Sequence, residues 1–457
     1  MSDAGKYRVP RQGGLKPRVL FLNRSYWPDV EATGRLLTEL CEDLSASFDV
    51  TVIAGPPHQN PSDARYCAAG TERRGGVRIE RVWSSRFAKA SLAGRIVNLL
   101  SYLAGAAGAA FRVPAADVVV AETDPPVLCF LGAILKGWHR AKLVCYVQDI
   151  YPDLAVALGK IPAGCLARWL RKAMVCVYRH ADRVIVPSHD MRRVLVSAGV
   201  PAEATVCIPN WIDTRRVVPV KQDNAFRRAH GLDGRFLVMY SGNLGLCQPL
   251  DDVVRAAERL RGQPEILFTF VGDGVAKRRL QGTARRMGLA NVRFFPYQAE
   301  SALGESLSAA DLHLVPLDPR VASYLMPSKL YGVLASGTAV LALAPEGSET
   351  ARIVRDRGVG IVVAPGQPDA LAEAILKAAA NRAMLQAMGR EARRLAQAEY
   401  DRRASTGRFA ALLGELVSSG PRQWSQERPH ERRTPLEVAQ GAATCAQQQA
   451  PWDGARP

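Results

Sequence analysis

A lysine directly after a proline and a serine is the residue of this chain best placed to bind phosphate. It stands in the stretch from 322 to 343, which reads ASYLMPSKLYGVLASGTAVLAL. We predict a helix over 329–336 with Ser328 as its N-cap, ended by Gly337 in the left-handed conformation. Lys329 in the first turn opposes the helix dipole by roughly 0.3 to 1 kcal/mol. A phosphate bound there would offset that cost, and an ordinary capped helix is the alternative.

Carboxylates follow two apolar strands in the first half of the chain. The turns read ETDPP at 122–126 and QDIYPD at 148–153. In open α/β sheets, ligands bind at the carboxyl ends of the strands. We therefore predict a functional role for Asp149, which directly follows the strand. Turn chemistry and helix capping are the alternative for such aspartates.

The elements that must position these residues alternate between apolar strands and helix-length segments. Predicted strands run over 18–23, 49–54, 77–83, 117–122, 142–148 and 183–187, and then over 236–241, 266–271, 292–295, 312–316 and 360–363. Continuously apolar strands are typical of parallel sheets covered on both faces. We predict an α/β fold with two Rossmann-like, doubly wound domains facing across a cleft. The glycine fingerprint of dinucleotide binding is absent, so NAD binding is not predicted.

Composition divides the chain into five segments. We predict a flexible N-terminus at 1–16, an N-terminal domain at 17–213, a C-terminal domain at 214–390 and a C-terminal helix at 391–418. The segment 419–457 is rich in Pro, Gln, Arg and Gly and is predicted to be disordered.

Overall composition narrows the possible partners. The net charge of +17 indicates nucleic acid, anionic lipid or phosphorylated small molecules. No nucleic-acid-binding signature accompanies the charge, so no nucleic acid partner is predicted. The opening residues lack the apolar run of a secretory signal, which predicts a cytoplasmic protein. Nine cysteines without a Cys-x-x-Cys pair favour reduced core thiols over disulfides or zinc ligands.

Two basic and aromatic patches suit a bilayer surface. Their residues are Arg81, Trp83, Arg86, Phe87 and Lys89 in the first, and Trp169, Arg171, Lys172, Tyr178 and Arg179 in the second. The apolar segment 96–111 is too short for a membrane span of about twenty residues and is predicted to be a buried or interfacial helix. Solvated helix faces are the alternative for both patches.

An ordered series of motifs resembles the family-4 glycosyltransferases of the GT-B architecture over roughly 17–415. The motifs in the first half are RVLFLNRSYWPD, DPP at 124–126, VQDIYPD at 147–153, ADRVIVPS at 181–188 and IPNWID at 208–213. Those in the second half are YSGNLG at 240–245, FVGDG at 270–274, ADLHLVPL at 310–317 and MPSKLYGVLASG at 326–337. The series is most similar to the bacterial subgroup that builds O-antigen, capsule or colanic-acid-type polysaccharide, including N-acetylfucosamine transferases.

The resemblance implies a retaining, metal-independent transfer of a hexosyl or N-acetylhexosaminyl group. The donor would be a nucleotide sugar, usually a UDP-sugar, and no cofactor would be needed. The acceptor would be a saccharide linked to polyprenyl diphosphate at the inner leaflet of the cytoplasmic membrane, with the enzyme peripherally attached. The first domain would bind the acceptor and the second the nucleotide sugar. Asp-x-Asp, a common metal site of the other transferase fold, is absent.

Site residues follow from the same resemblance. Without a cation, backbone amides, helix dipoles and basic side chains must meet the diphosphate charge. The donor residues would be Gly242, Asn243, Gly245, Gly272, Asp273, Ser328, Lys329 and Glu349. Asp149 would orient the acceptor hydroxyl or the reacting sugar, with Thr123, Asp124 and Gln148 on the acceptor side.

The chain departs from the family pattern at several of these positions. The usual pair of glutamates, eight positions apart, is replaced by Tyr324 and Gly332, so Glu349 is our substitute for the ribose contact. A glycine in mid-helix costs about 1 kcal/mol and predicts a close approach to the backbone at Gly332. The family's basic residues in the first loop of the second domain are replaced by 243–248, and a common histidine by Gln148.

Two other functions fit the predicted architecture. A non-hydrolysing UDP-N-acetylglucosamine 2-epimerase needs clustered carboxylates and histidines, and the spacing of Glu122 and His313 does not form such a cluster. A catalytically silent scaffold is the third possibility, because the glutamate pair is missing.

Overall fold

Two separate, mostly parallel sheets form the frame of the computed structural model, which describes residues 16–29, 31–57, 69–87, 92–245 and 247–419. The first sheet contains β1 (Arg18–Leu22), β2 (Asp49–Ala54), β3 (Gly70–Arg74), β4 (Val77–Arg81), β5 (Val118–Glu122), β6 (Lys142–Tyr146), β7 (Arg183–Val186) and β8 (Thr205–Cys207). Its order is β3-β4-β2-β1-β5-β6-β7-β8. The β3–β4 pair is antiparallel. Strand β3 was not predicted, because it is a mostly exposed GTERR segment without an apolar pattern.

The second sheet is parallel. It contains β9 (Phe236–Ser241), β10 (Ile266–Val271), β11 (Val292–Phe295), β12 (Leu312–Pro316), β13 (Ala339–Leu343) and β14 (Gly360–Val363). The order is β11-β10-β9-β12-β13-β14, with parallel registers. The five strands of the second predicted series have the bounds expected from their apolar runs.

Helices cover both faces of each sheet. The first domain carries α1 (Ala32–Leu44), α2 (Leu92–Ala110), α3 (Leu128–His139), α4 (Asp153–Ala157), α5 (Cys165–His180) and α6 (His189–Ser197). The second carries α7 (Ala225–Ala229), α8 (Leu250–Arg259), α9 (Lys277–Arg286), α10 (Leu303–Ser308), α11 (Lys329–Ala335), α12 (Glu349–Asp356), α13 (Pro368–Ala380) and α14 (Arg382–Glu399), followed by α15 (Arg402–Ser418). Separate apolar clusters fill the two sides of each sheet. The prediction of two doubly wound domains is confirmed.

The C-terminal helices return the chain to the first domain. The predicted boundary at 390–391 was wrong as a helix boundary, because α14 continues to Glu399 and a second helix, α15, follows. In α15, Phe409 and Leu413 lie in the same buried cluster as Trp211 and β1. Arg402 donates to both oxygens of Asp43 on α1, at 2.9 and 2.7 Å. The last helix is therefore part of the first domain's core.

The two predicted terminal segments, 1–16 and 419–457, lie outside the described residues except for Lys16 and Ser419. Within the described ranges, no helix has both the length and the apolar content needed to span a membrane. The seven described cysteines are all free thiols, and Cys41, Cys129, Cys145 and Cys176 are buried.

Candidate functional site

Two glycine-containing loops meet at the carboxyl edge of the second sheet. The loop after β9 begins at Gly242, and the loop after β10 contains Gly272 and Gly274; all three have positive φ angles, from 136° to 148°. A Cβ on Gly272 would collide with the carbonyl oxygen of Gly242, and one on Gly274 would collide with Asn243. Glycine is therefore required for the two backbones to come this close. The predicted donor loops lie side by side.

Lys329 reaches from α11 onto the first of these loops. Its Cε lies 3.3 Å from the position that a Cβ on Gly242 would occupy, and its Nζ lies 4.9 Å from the ring centroid of Tyr240. The Tyr240 hydroxyl donates to the carbonyl of Asn243, which ties the ring to the loop. Burial lowers the pKa of Lys329 to about 8. No ion pair joins this ammonium to a carboxylate within the described part of the chain, so it is available to an anion.

The remaining loop residues shape the site through their own hydrogen bonds. The amide of Gly245 donates to Gln248 Oε1 at 3.1 Å. The Asp273 carbonyl accepts the amide of Leu244 at 2.8 Å and links the two loops. The Asp273 carboxylate accepts the amide of Gly274 at 2.8 Å. Asp273 therefore acts on loop conformation in this structure.

Three expectations for α11 had different outcomes. Gly337 ends the helix with φ 63°, as predicted. Ser328 was wrongly predicted as a side-chain cap: its backbone is already helical, with φ −57° and ψ −25°, and its hydroxyl makes no capping hydrogen bond. The close approach predicted at Gly332 is to the side chain of Leu307, which lies 3.3 Å from the position that a Cβ on this glycine would occupy, and it is core packing.

The acceptor-side residues come together at the carboxyl ends of β5 and β6. Thr123 Oγ1 accepts the amide of Gln148 at 3.0 Å and that of Asp149 at 3.4 Å. Asp124 accepts from Arg24 at 2.9 Å and from the Ser25 hydroxyl. The four predicted residues Thr123, Asp124, Gln148 and Asp149 therefore form one group.

Two carboxyl groups of this region, those of Asp149 and Glu122, have raised pKa values. Burial, and secondly the charge of Asp124, raises the pKa of Asp149 to about 7. Burial also raises the pKa of Glu122, whose side chain is almost fully enclosed beneath the turn. Perturbed carboxyl groups in a cleft are candidates for chemistry. Asp149, three residues after the end of β6, is the one that lies in the loop at the ligand edge of the sheet.

The partners that hold these groups were not predicted from the sequence. Arg24 and Ser25 hold Asp124, and the amide of Asn210 exchanges two hydrogen bonds with that of Gln148, at 3.0 and 3.2 Å. Arg24 and Ser25 lie in the family-like motif RVLFLNRSYWPD, and Asn210 lies in the motif IPNWID. The motifs therefore contained all three partners, but their pairing across the sheet was not deducible from sequence spacing.

The lysine stretch and the acidic turn meet directly across the two domains. Asp149 forms an isolated antiparallel bridge with Leu325, and the amide of Ile150 donates to the carbonyl of Tyr324 at 2.9 Å. The residues just before α11 thus lie against the acceptor-side group. Lys329 and Asp149 belong to the same cleft.

Glu349 lies at the start of α12, at the boundary between the domains. Its Oε2 accepts the amide of Asp190 on α6 at 3.0 Å. The assignment of Glu349 to a ribose contact stays a prediction, and the structure gives this carboxylate a partner in the first domain.

Other candidate sites do not assemble in the described residues. His313 is buried in β12, where its Nε2 meets the Leu307 carbonyl at 2.9 Å and burial lowers its pKa to about 4. Glu122 lies in the other sheet, so the two do not form an epimerase-like cluster. No group of three or more potential metal ligands occurs in the described ranges.

The two basic and aromatic patches are only partly on the surface. Arg81 and Tyr178 were wrongly placed there: both are buried, and Arg81 forms an ion pair with Glu72. Lys89 lies outside the described residues. Trp83 and Phe87 are exposed. On α5 the exposed residues Leu166, Arg168, Trp169 and Lys172 form a surface that we call the α5 patch.

Two family models match the chain in succession. Residues 32–211 match a glycosyl transferase 4-like domain, and residues 222–395 match glycosyl transferases group 1. A putative colanic acid biosynthesis glycosyl transferase, WcaI of Escherichia coli K12, is 29% identical over 79% of this chain and 92% of its own length. A probable glycosyltransferase, WbjE of Pseudomonas aeruginosa, is 28% identical over 67% of this chain and 76% of its own.

Solved structures share the two-domain architecture. HepE of Anabaena, in complex with UDP and glucose, superposes with a TM-score of 0.68 at 18% identity, over 87% of this chain and all of that one. WaaG, a glycosyltransferase involved in lipopolysaccharide biosynthesis, superposes with a TM-score of 0.63 at 18% identity, over 88% of this chain and all of that one. These structural similarities concern the fold.

Proposed function

We propose that this chain transfers a sugar from a UDP-sugar to a lipid-linked saccharide with retention of configuration. The chain belongs to the family-4 glycosyltransferases of GT-B architecture that act in polysaccharide biosynthesis. One observation carries the proposal. Lys329, without an ion-pair partner in the described residues, lies on the first of the paired glycine loops, and Asp149 of the other domain is bridged to Leu325, four residues before Lys329. A cation for the diphosphate and a carboxylate for the acceptor thus line the same cleft.

The donor diphosphate would lie between Lys329 and the loop at 242–245. The ammonium of Lys329 and the amide of Asn243 would stabilise the charge that develops on the leaving phosphate, without a metal ion or cofactor. The amides of Gly242, Leu244 and Gly245 already donate within the protein, so Gly242 and Gly245 would serve by letting the loop approach the phosphate closely. The Gly272–Asp273 segment would support the first loop from behind. Ser328 would add a hydroxyl near the diphosphate, and Glu349 would contact the ribose only by giving up its hydrogen bond to the amide of Asp190.

Transfer would follow a front-face displacement. The acceptor oxygen forms a bond to the anomeric carbon as the bond from that carbon to the phosphate oxygen breaks. The acceptor proton passes to the departing phosphate oxygen, so no protein group needs to gain or lose a proton overall. Ionised Asp149 would accept a hydrogen bond from a second hydroxyl of the acceptor saccharide, beside the reacting one, and so orient the reacting hydroxyl.

The acceptor would be a saccharide on polyprenyl diphosphate at the inner leaflet of the cytoplasmic membrane. The α5 patch supports this placement, since Leu166 and Trp169 are 70% and 56% exposed beside Arg168 and Lys172. Apolar and aromatic side chains flanked by cations bind anionic bilayer surfaces. The protein would then work as a peripheral membrane enzyme on the cytoplasmic side.

The decisive experiment mixes purified protein with UDP- and GDP-sugars and a membrane lipid extract. Mass spectrometry should reveal one lipid-linked product whose mass grows by one sugar, and NMR should show the donor's anomeric configuration retained. Interconversion of the free nucleotide sugars would instead identify an epimerase. Absence of nucleotide-sugar binding and product would leave a scaffold and overturn the proposal.

A further inference from the structure

Two helix N-termini from different domains meet head to head beside the cleft. They are the starts of α6 in the first domain and α12 in the second. The amide of Glu349 donates to Asp190 Oδ2 at 2.7 Å, and the amide of Asp190 donates to Glu349 Oε2 at 3.0 Å. The exchange is reciprocal, because each carboxylate binds the backbone of the other residue.

Neither helix needs this exchange for its own capping. Ser188 accepts the amide of Met191 at 3.2 Å in α6, and Ser348 accepts that of Ala351 at 3.3 Å in α12. The serines therefore serve as the local N-caps of their own helices. Asp190 and Glu349 are left to act between the domains.

The carboxylates at this contact offset a repulsion between the two helix dipoles. Each helix N-terminus carries a partial positive charge, so two that face each other repel unless negative charge lies between them. Asp190 supplies one such charge, and its side chain is only 4% exposed. Arg352 on α12 also donates to Asp190 Oδ1, which gives Asp190 a second partner in the other domain. Arg193 contacts the same oxygen from within α6.

The contact lies next to the elements that carry the predicted donor and acceptor residues. α12 follows β13 at the edge of the second sheet that carries the donor loops, and α6 follows β7, the neighbour of β6. Asp149 follows β6 at the same edge of the first sheet. The link between α6 and α12 therefore joins the two sides of the cleft, in addition to the bridge from Asp149 to Leu325.

We propose that Asp190 and Glu349 are positioning residues that form an interdomain clasp. The clasp holds the donor-side domain in register with Asp149, and in this respect it rests on the proposed function. Loss of either carboxylate leaves the amide of the other residue without its acceptor, at a place where two helix N-termini face each other. The domains then separate, and transfer slows because the reacting groups are misplaced.

Interdomain distance tests the clasp without any nucleotide. Nitroxide labels on Lys172→Cys in α5 and Glu373→Cys in α13, both at exposed positions, report the separation by pulsed electron resonance once other reactive cysteines are replaced. Asp190→Ala should shift the distances to longer and broader values. Asp190→Asn, which keeps an acceptor for the Glu349 amide, should retain the original distribution. Arg193→Ala is the matched control, since Arg193 contacts Asp190 only from within α6.

Kinetics and affinity separate the clasp from a ribose contact. Asp190→Ala and Glu349→Ala should each lower kcat/KM by about 10- to 100-fold, and the double variant should cost no more than either alone. If Glu349 instead serves the ribose, Glu349→Ala alone weakens UDP binding and the two effects multiply. Unchanged distances in a folded Asp190→Ala protein would overturn the clasp. A wild type that binds no nucleotide would overturn the proposed function and leave the distance result standing.

Discussion

Asp149 is a carboxylate held in an environment that disfavours its charge. Burial and the neighbouring charge of Asp124 raise its pKa to about 7. The ionised form is needed to accept a hydrogen bond from the acceptor, so kcat/KM should fall as the pH drops through about 7. Asp149→Asn should abolish transfer while UDP still binds. A pH series of initial rates, with Asp369→Asn on the surface as the control, measures both effects.

The same raised pKa predicts a gain in stability for Asp149→Asn. A carboxyl whose pKa is raised on folding stabilises the native state while protonated, and this contribution is lost as the pH rises through the folded value. The wild type should therefore lose melting temperature relative to Asp149→Asn as the pH rises from about 4, the ordinary pKa of an aspartate, to about 7, its pKa in the folded protein. An active Asp149→Asn enzyme would remove Asp149 from the chemistry, whatever its stability.

Lys329 is a cation placed where the diphosphate is expected. Lys329→Ala should weaken UDP binding by about 1.5 to 3 kcal/mol, the value of a charge-assisted hydrogen bond. Because burial lowers the pKa of Lys329 to about 8, wild-type affinity should decline above that pH. Calorimetry with UDP tests both statements, and Lys377→Ala on the exposed face of α13 is the control. An equal UDP dissociation constant in Lys329→Ala would place the diphosphate elsewhere.

The paired loops after β9 and β10 act as one element. Gly272 has φ 141°, and a Cβ there would collide with the Gly242 carbonyl. Gly272→Ala should therefore push the loops apart, lower the melting temperature and weaken UDP binding. Gly262→Ala is the matched control, because nothing lies within 4 Å of its Cβ position and its φ is not positive. Thermal unfolding with and without UDP measures the change, and two indistinguishable variants would show that the loops move independently.

Short helices limited what could be predicted at the level of elements. The bounds of α11 were predicted to within one residue, because Pro327 and Gly337 are strong local signals. The role of Ser328 was not predicted correctly. A serine hydroxyl caps a helix when the backbone of the serine is extended, and the backbone of Ser328 is already helical. The neighbour of Gly332 could not be predicted either, because it is Leu307 of α10, whose position depends on the tertiary structure.

At the scale of the whole molecule, we expect the α5 patch to place the first domain on the membrane. Replacing Leu166 and Trp169 together with serine should reduce flotation with anionic liposomes and leave transfer to a soluble acceptor unchanged. Leu376→Ser in the second domain is the control, since it is an exposed leucine away from the patch. Salt should weaken the wild-type binding because the cations contribute. Equal flotation of the two variants would mean that another surface binds lipid.

Local patterns in the chain were sufficient for the fold class, most of the strands and the candidate residues of the cleft. Short apolar runs are typical of buried parallel strands, and glycine or proline marks the turns between them. The motifs placed Asp149 and the glycine loops at strand ends, where such sheets bind ligands, and Lys329 in the first turn of a helix, where anions bind. These inferences need only short-range chemistry.

Tertiary structure was needed for every relation between distant residues. The bridge from Asp149 to Leu325, the pairing of Gln148 with Asn210 and the return of α15 to the first domain join segments far apart in the chain. The partner of Glu349 depends in the same way on how two domains meet. Side-chain roles at such places depend on the three-dimensional packing, which brings together groups that no sequence spacing relates.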